Sequence, residues 1–352
     1  MNEILRRHSF SITFLIVLIG FFFLSGNDDD DIQQLSGFTM GTSYQFQLVD
    51  MPSDLTPEEI SADVNELLMQ LDTGIFSTFA SSSELSRFNQ HSANVPFIAS
   101  TSLIEVLELA QEISIETRGA FDITVGPLVN LWGFGPVIWP VDADVPADAA
   151  IEAALNRVGF RHLQIDAARS QLVKTADITI DLSGIAKGYA VDRIAVYFDS
   201  LGVQNYFLEI GGELKMKGVK PGNESWVPAI EAPLDTAPQI YEIIYSRGET
   251  IAVAGSGDYR NYFEQDGMRY SHEIDPRTGR PVTHNLSAAY VIDQSAARAD
   301  ALATAYMILG VEEASEIAER NRQAAYFIYR DTNAEFGDSL SGDFRKYLST
   351  VP

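Results

Sequence analysis

Over residues 178–182 apolar and polar positions alternate. Ile178, Ile180 and Leu182 are set against Thr179 and Asp181, the period of a strand with one buried face. From Ile185 the apolar positions shift to Tyr189, Ile194 and Phe198, close to helical spacing, and Ser183 stands where a hydroxyl can cap the first free amides. The pattern predicts a strand, a tight Ser183-Gly184 turn and a helix over 184–200. A helix start gathers unpaired amides and positive dipole, which suits an anion. Lys187, in that first turn, gains nothing from the dipole. Either it points into water from an ordinary strand–helix unit, or it is held there for a negatively charged ligand.

The same reading predicts a first strand over 38–48, irregular at Met40-Gly41-Thr42, and a helix over 56–71 opened by the capping box Thr56-Pro57-Glu58-Glu59. A serine-rich loop is expected over 76–89, an amphipathic helix over 101–117 ended by Gly119, and a proline-rich surface excursion over 136–146. Short strands follow near 163–165 and 172–174, then at 206–210, 213–217, 227–231, 240–245 and 250–254. A strand at 288–292 leads into a helix over 296–309 stopped by Gly310, with a last helix near 312–320 and a last strand near 325–329. These elements lack the regular alternation of a doubly wound sheet. The expected class is therefore α+β, with layered helices packed on a largely antiparallel mixed sheet.

Composition narrows the setting. The chain has 352 residues, 46% of them hydrophobic, enough for a substantial core, and a formal charge of -25 from 24 basic and 49 acidic residues. That balance argues against nucleic acid or an anionic membrane surface as the main partner. Residues 1–26 read as an export signal, with Arg6 and Arg7 before an apolar run from Ile12 to Leu24, then Ser25 and Gly26. The run is short for a spanning helix, which favours cleavage over a retained N-terminal anchor. The protein is accordingly expected on the periplasmic side of a bacterial inner membrane, soluble or singly anchored. Residues 27–36 would be an acidic tether and 37–350 one domain. With no cysteine, thiol catalysis, disulfides, thiolate metal sites and an N-terminal lipid anchor are all excluded.

Two constellations could carry chemistry. Asp300 and Thr304, four apart, share one face of the 296–309 helix, while Ala297, Ala301 and Ala305 keep that helix slim for a close neighbour. A carboxylate and a hydroxyl are hard oxygen ligands, suited to magnesium rather than zinc. The alternative has Thr304 bonded to its own helix and Asp300 solvated. His272, in the segment from Ser271 to Pro281, is the histidine placed in a polar cluster and the best proton acceptor near neutral pH. Its surroundings, Asp275-Pro276 and Thr278-Gly279, are strong turn formers in any case. No G-x-S-x-G elbow, P-loop, G-x-G-x-x-G or H-E-x-x-H is present, and Gly255-Ser256-Gly257 resembles a nucleophile turn only superficially.

Taken together, five segments in order resemble the ApbE family, exported FAD:protein FMN transferases: Ser83 to Asn89, Gly119 to Leu128, Asp181 to Asp192, Ser271 to Pro281 and Ala299 to Ala305. The resemblance runs from about residue 39 to about residue 329 and implies an ApbE-like, T-fold-related architecture. It implies a magnesium site of the Gly184 carbonyl with the Asp300 and Thr304 side chains. It also implies FAD contacts at Met40, Phe79, Ala120, Phe121, Asp122, Asp181, Lys187, His272 and Ile274, with Phe79 as an aromatic ring stacking on the flavin or adenine. Catalytic roles would fall to His272, Asp300 and Lys187. The acceptor would be a threonine on a partner such as a subunit of a sodium-translocating quinone reductase or a related electron-transfer complex. Glu209 and Glu213 depart from the pattern, which has an uncharged residue and an Asp around Gly211-Gly212. An FAD pyrophosphatase yielding FMN and AMP, or a flavin-binding protein without turnover, remains open at this stage.

Overall fold

The computed structural model describes residues 32–348 except 53–54, 136–144, 235–238, 259–261, 266–267 and 334. The export segment, residues 27–31 of the tether and most of the proline-rich excursion lie outside the described residues. Among the described residues no helix is long and apolar enough to cross a membrane.

Eight strands form the main sheet: β1 (Ile32–Thr39), β2 (Thr42–Val49), β3 (Asn205–Ile210), β4 (Glu213–Lys217), β5 (Ile251–Gly257), β6 (Leu286–Asp293), β7 (Ala324–Arg330) and β8 (Phe336–Leu340). They lie side by side in chain order, every neighbouring pair antiparallel. Among the described residues seven α-helices accompany them: α1 (Pro57–Met69), α2 (Glu84–Gln90), α3 (Thr101–Glu116), α4 (Gly126–Leu131), α5 (Asp148–Leu155), α6 (Ala186–Ser200) and α7 (Ala296–Asn321, kinked at Gly310). The α+β expectation stands.

The sheet has a helical face and an opposite face. On β5, Ala252 and Ala254 turn to the core beneath α6 and α7, while Ile251 and Val253 turn to a second core with Trp226, Ile230, Ile244 and Phe344. Alanines on the helical side match the slim face of α7, so helix and sheet approach closely. The two helices also meet each other tightly. A methyl added at Gly188 of α6 would land 2.3 Å from the Ala296 carbonyl oxygen and 2.8 Å from Ala297 Cα. In a free helix alanine is about 1 kcal/mol better than glycine, but overpacking costs about 1–3 kcal/mol. Gly188→Ala should therefore lower the melting temperature; an unchanged or higher one would mean that α6 and α7 do not meet there.

Three local expectations fail for identifiable reasons. The strand predicted over 38–48 is two strands, β1 and β2, joined at Met40-Gly41, whose φ values of 48° and 75° suit the two-residue turn that matches strand twist. β1 thus begins at Ile32, inside the segment read as a tether, because pairing with β2 gives its backbone partners. The serine-rich loop ends in α2, capped by Ser83, whose side chain accepts from Ser86 N. Residues 178–182 are extended, yet their sheet pairing is a single parallel bridge from Thr179 to Val125. The Asn89 carboxamide takes the place of a strand there: its Nδ2 donates to the Ile180 carbonyl and its Oδ1 accepts from Ile180 N, each at 2.8 Å.

The capping expectation at Ser183 is also corrected. Ser183 N donates to Asp181 Oδ1 at 2.8 Å, and α6 begins after Ile185 without a side-chain cap of its own. The free amide of Gly188 is instead taken by Asp300 Oδ2, at 3.0 Å, from α7. In return Asp192 of α6 accepts from Ala296 N and Ala297 N, each at 3.0 Å, at the start of α7. Each helix thus supplies the carboxylate that satisfies the other's free amides, which locks Lys187 and Asp300 together.

Candidate active site

The helix pair, the β3–β4 turn and the segment around His272 enclose a cavity of about 1010 Å³, at the upper end of the ~300–1,000 Å³ usual for small-molecule sites. Ala120, Phe121, Asp122, Asp181, Gly184, Lys187, His272, Ile274, Asp300 and Thr304 all line it. Met40 and Phe79 do not. Met40 sits in the β1–β2 turn with its amide on Asp72 Oδ2, and Phe79 is 77% exposed on the loop before α2.

Lys187 lies at the centre of the charge distribution. Its Nζ stands 3.3 Å from Glu213 Oε1, 3.8 Å from Asp300 Oδ2 and 3.3 Å from the Ser183 carbonyl. Burial pushes the ammonium down, but the Asp300 and Glu213 carboxylates outweigh it and hold Lys187 above its ordinary value, fully charged. Burial raises both carboxylates. Glu213 is raised well above the usual range, Asp300's charge adding to the effect and Lys187 opposing it; Asp300 is raised against the pull of Lys187 and the Gly188 amide. Lys187 can pass over the turn because Gly211, at φ 61°, has no side chain: a methyl there would come 2.6 Å from Thr42 Cγ2 and 3.2 Å from Lys187 Cδ.

Glu213 sits at 4% exposure, and its Oε2 has no hydrogen-bond partner among the described residues. Two buried carboxylates thus face one ammonium, and burial works against both of them being charged at once. A polyanion entering the site calls for an added cation. Among the described residues no group of three or more His, Cys, Asp or Glu side chains is placed to hold a metal. The set to test is thus the smaller one of Asp300, Thr304 and the Gly184 carbonyl. A methyl at Gly184 would fall 3.1 Å from Thr304 Oγ1, so that backbone lies against the hydroxyl. Thr304 makes no side-chain hydrogen bond to another described residue, and Asp300 is 5% exposed, so neither part of the bland alternative holds. A carboxylate, an unengaged hydroxyl and a carbonyl form a hard oxygen set that fits magnesium.

Beyond the helix pair, His272 Nε2 lies 3.7 Å from Glu273 Oε1, the atom that also accepts from Ser256 Oγ at 2.6 Å. The segment is anchored where Trp132 Nε1 donates to the Gly279 carbonyl, and Ile274 packs with Leu128, Trp132 and Ile151. Asp122 lines the cavity with both oxygens already bonded, one to Thr124 N and Oγ1 and the other to Phe160 N. Sequence reading assigned no role to Ser256, Glu273 or Glu213.

Glu209 lines the cavity at 6% exposure, with Oε1 accepting from Gly212 N at 2.8 Å. Burial outweighs that bond and pushes its carboxyl up to about 7 from an ordinary 4.5. Between those pH values the fold holds a proton that the unfolded chain has released, so stability falls as pH rises through the window. Glu209→Gln keeps an acceptor for Gly212 without the charge. It should be more stable than wild type by on the order of 2–3 kcal/mol above the window and nearly equal below it. Urea unfolding on both sides of the window checks this; a difference independent of pH would remove the buried charge as its cause.

Comparison with known proteins gives a consistent picture. The model of the ApbE family matches residues 40–328. A protein of Vibrio cholerae named FAD:protein FMN transferase is 41% identical over 336 residues, spanning 95% of this chain and 98% of its own. One of the same name from Haemophilus influenzae is 39% identical over 323 residues, 90% of this chain and 91% of its own. Among solved structures, flavin transferase ApbE from Vibrio cholerae superposes with a TM-score of 0.82 at 40% identity, covering 90% of this chain and 99% of its own. The Pseudomonas stutzeri flavinyl transferase ApbE gives 0.81 at 38% identity, covering 91% and 98%.

Proposed function

The chain belongs to the ApbE family and is an FAD:protein FMN transferase, and on that premise we propose that it transfers FMN from FAD to a threonine hydroxyl of a partner protein, releasing AMP. The threonine oxygen forms a bond to the FMN phosphorus, the bond from that phosphorus to the bridging oxygen breaks, and the bridging oxygen leaves with AMP. His272 takes the hydroxyl proton as the oxygen attacks. Lys187, kept charged by Asp300 and Glu213, lies against the diphosphate. The Gly184 carbonyl, Asp300 and Thr304 would hold magnesium, which when bound neutralises charge on the diphosphate oxygens.

The observation that carries this reading is the convergence of Lys187, His272, Asp300 and Thr304 on one cavity, with Glu213 as the second buried carboxylate beside Lys187. A charged lysine beside a hard oxygen set is suited to an anionic substrate brought with a cation. The apolar run behind Arg6-Arg7 supports export, so we place the reaction on the periplasmic side of the inner membrane. A subunit of a sodium-translocating quinone reductase, or of a related electron-transfer complex, is the acceptor we favour. Incubation with FAD and magnesium, with and without that subunit, tests the reading. AMP release that depends on the acceptor is expected, whereas equal AMP and free FMN without it would identify a hydrolase.

A further inference from the structure

The cavity has a second chamber, on the face of the sheet turned away from α6 and α7. Opposed residues in antiparallel pairs share a face, so Gln45, Glu209, Leu214 and Val253 point the same way, as do Gln47 and Phe207 two residues along. Glu213 and Ser256 point the other way, to Lys187 and Glu273. Residues of both faces line one cavity, together with Gly211 and Gly212. The space therefore passes around the β3–β4 turn from the helix pair to the chamber. Trp226, Ile230 and Ile244 wall it, and Val227 and Ile240 line it while remaining 42% and 49% exposed.

Two carboxamides in the chamber, those of Gln45 and Gln47, are turned to the cavity. Gln47 is 3% exposed, lines the cavity, and makes no side-chain hydrogen bond to any described residue. Its amide atoms are not sealed off but open to the cavity, where the carboxamide offers an acceptor and two donors, the complement of a peptide unit. Gln45 presents the same group one rung away on the same face. Apolar walls, carboxamides in a row and exposed apolar residues at the surface match an extended peptide segment of a partner protein.

We propose that this chamber binds the acceptor protein's main chain beside the residue that receives FMN, with peptide groups on Gln45 and Gln47 and an apolar side chain against Phe207, Trp226 and Ile230. The inference rests on the transfer reading above, which requires the flanks of an acceptor hydroxyl to lie next to the diphosphate.

The test uses the full-length enzyme with the purified quinone-reductase subunit as acceptor. Gln47→Leu should raise the KM for that subunit about tenfold, the loss of one buried hydrogen-bonding partner. The Kd for FAD, read from flavin fluorescence, should not move. Ile240→Ser, at a half-exposed position on the cavity wall, should raise the same KM severalfold with an unchanged melting temperature. If Gln47→Leu weakens FAD instead, the chamber holds one of FAD's own rings and the proposal is wrong. If neither constant moves, the chamber takes no part in binding. Wild type that leaves the subunit unlabelled while releasing free FMN and AMP overturns the transfer reading, and this inference with it.

Discussion

Replacing His272 with alanine should lower FMN transfer by about 10²- to 10⁴-fold, the usual worth of a positioned general base, while FAD still binds. The histidine lines the cavity with its side chain 30% exposed, edge-on to Phe134 and 3.7 Å from the Glu273 carboxylate, which is itself held by Ser256. An imidazole placed there is reached from the cavity and has the Glu273 carboxylate beside it. Lys187, Glu213 and Asp300 keep their contacts with one another when the ring is removed, so FAD should still bind. Single-turnover transfer and equilibrium FAD binding, measured on the same preparation, separate the two. A normal transfer rate would mean that another group takes the proton.

Asp300→Asn should raise the magnesium requirement sharply with little change in fold. Asn keeps an oxygen for the Gly188 amide at the start of α6 and removes the charge that Thr304 and the Gly184 carbonyl cannot supply. It also leaves Lys187 with Glu213 alone. Two readouts separate structure from binding: the magnesium titration of transfer, and the rise in melting temperature that magnesium gives without turnover. The wild type should show the rise and Asp300→Asn should lose most of it. An unchanged titration together with an unchanged melting shift would remove Asp300 from the metal site.

The sequence made legible what depends on local period and punctuation. The capping box at Thr56, the Gly119 stop and the break at Gly310 fall where their residues place them, since each is settled within a few positions. The slim face of α7 was legible too, because small residues at helical spacing have one common use. The extended 178–182 run was misjudged because its alternation reports burial, not pairing. Its partner is a side chain far away in sequence, and no local pattern announces that. The same holds for the cap on Gly188, which comes from Asp300 across the helix pair.

In the site, the resemblance named Lys187, Asp300 and Thr304, and the fold brings them to one cavity. The charge logic was not readable: Glu213 looked like a departure from a family pattern, but in the fold it is the second carboxylate on Lys187, with one oxygen unpartnered. Met40 and Phe79, implied by resemblance, lie off the cavity in this structure. Gln47 gave no signal, because a polar residue inside a strand is unremarkable until both faces of the sheet prove to be covered.

The most direct measurement is the intact mass of the acceptor after incubation with the enzyme, FAD and magnesium, with AMP quantified in the same mixture. The account predicts an acceptor heavier by one phosphoester-linked FMN on a threonine, and AMP released in equal amount. Unmodified acceptor beside free FMN and AMP, or beside intact FAD, would contradict it.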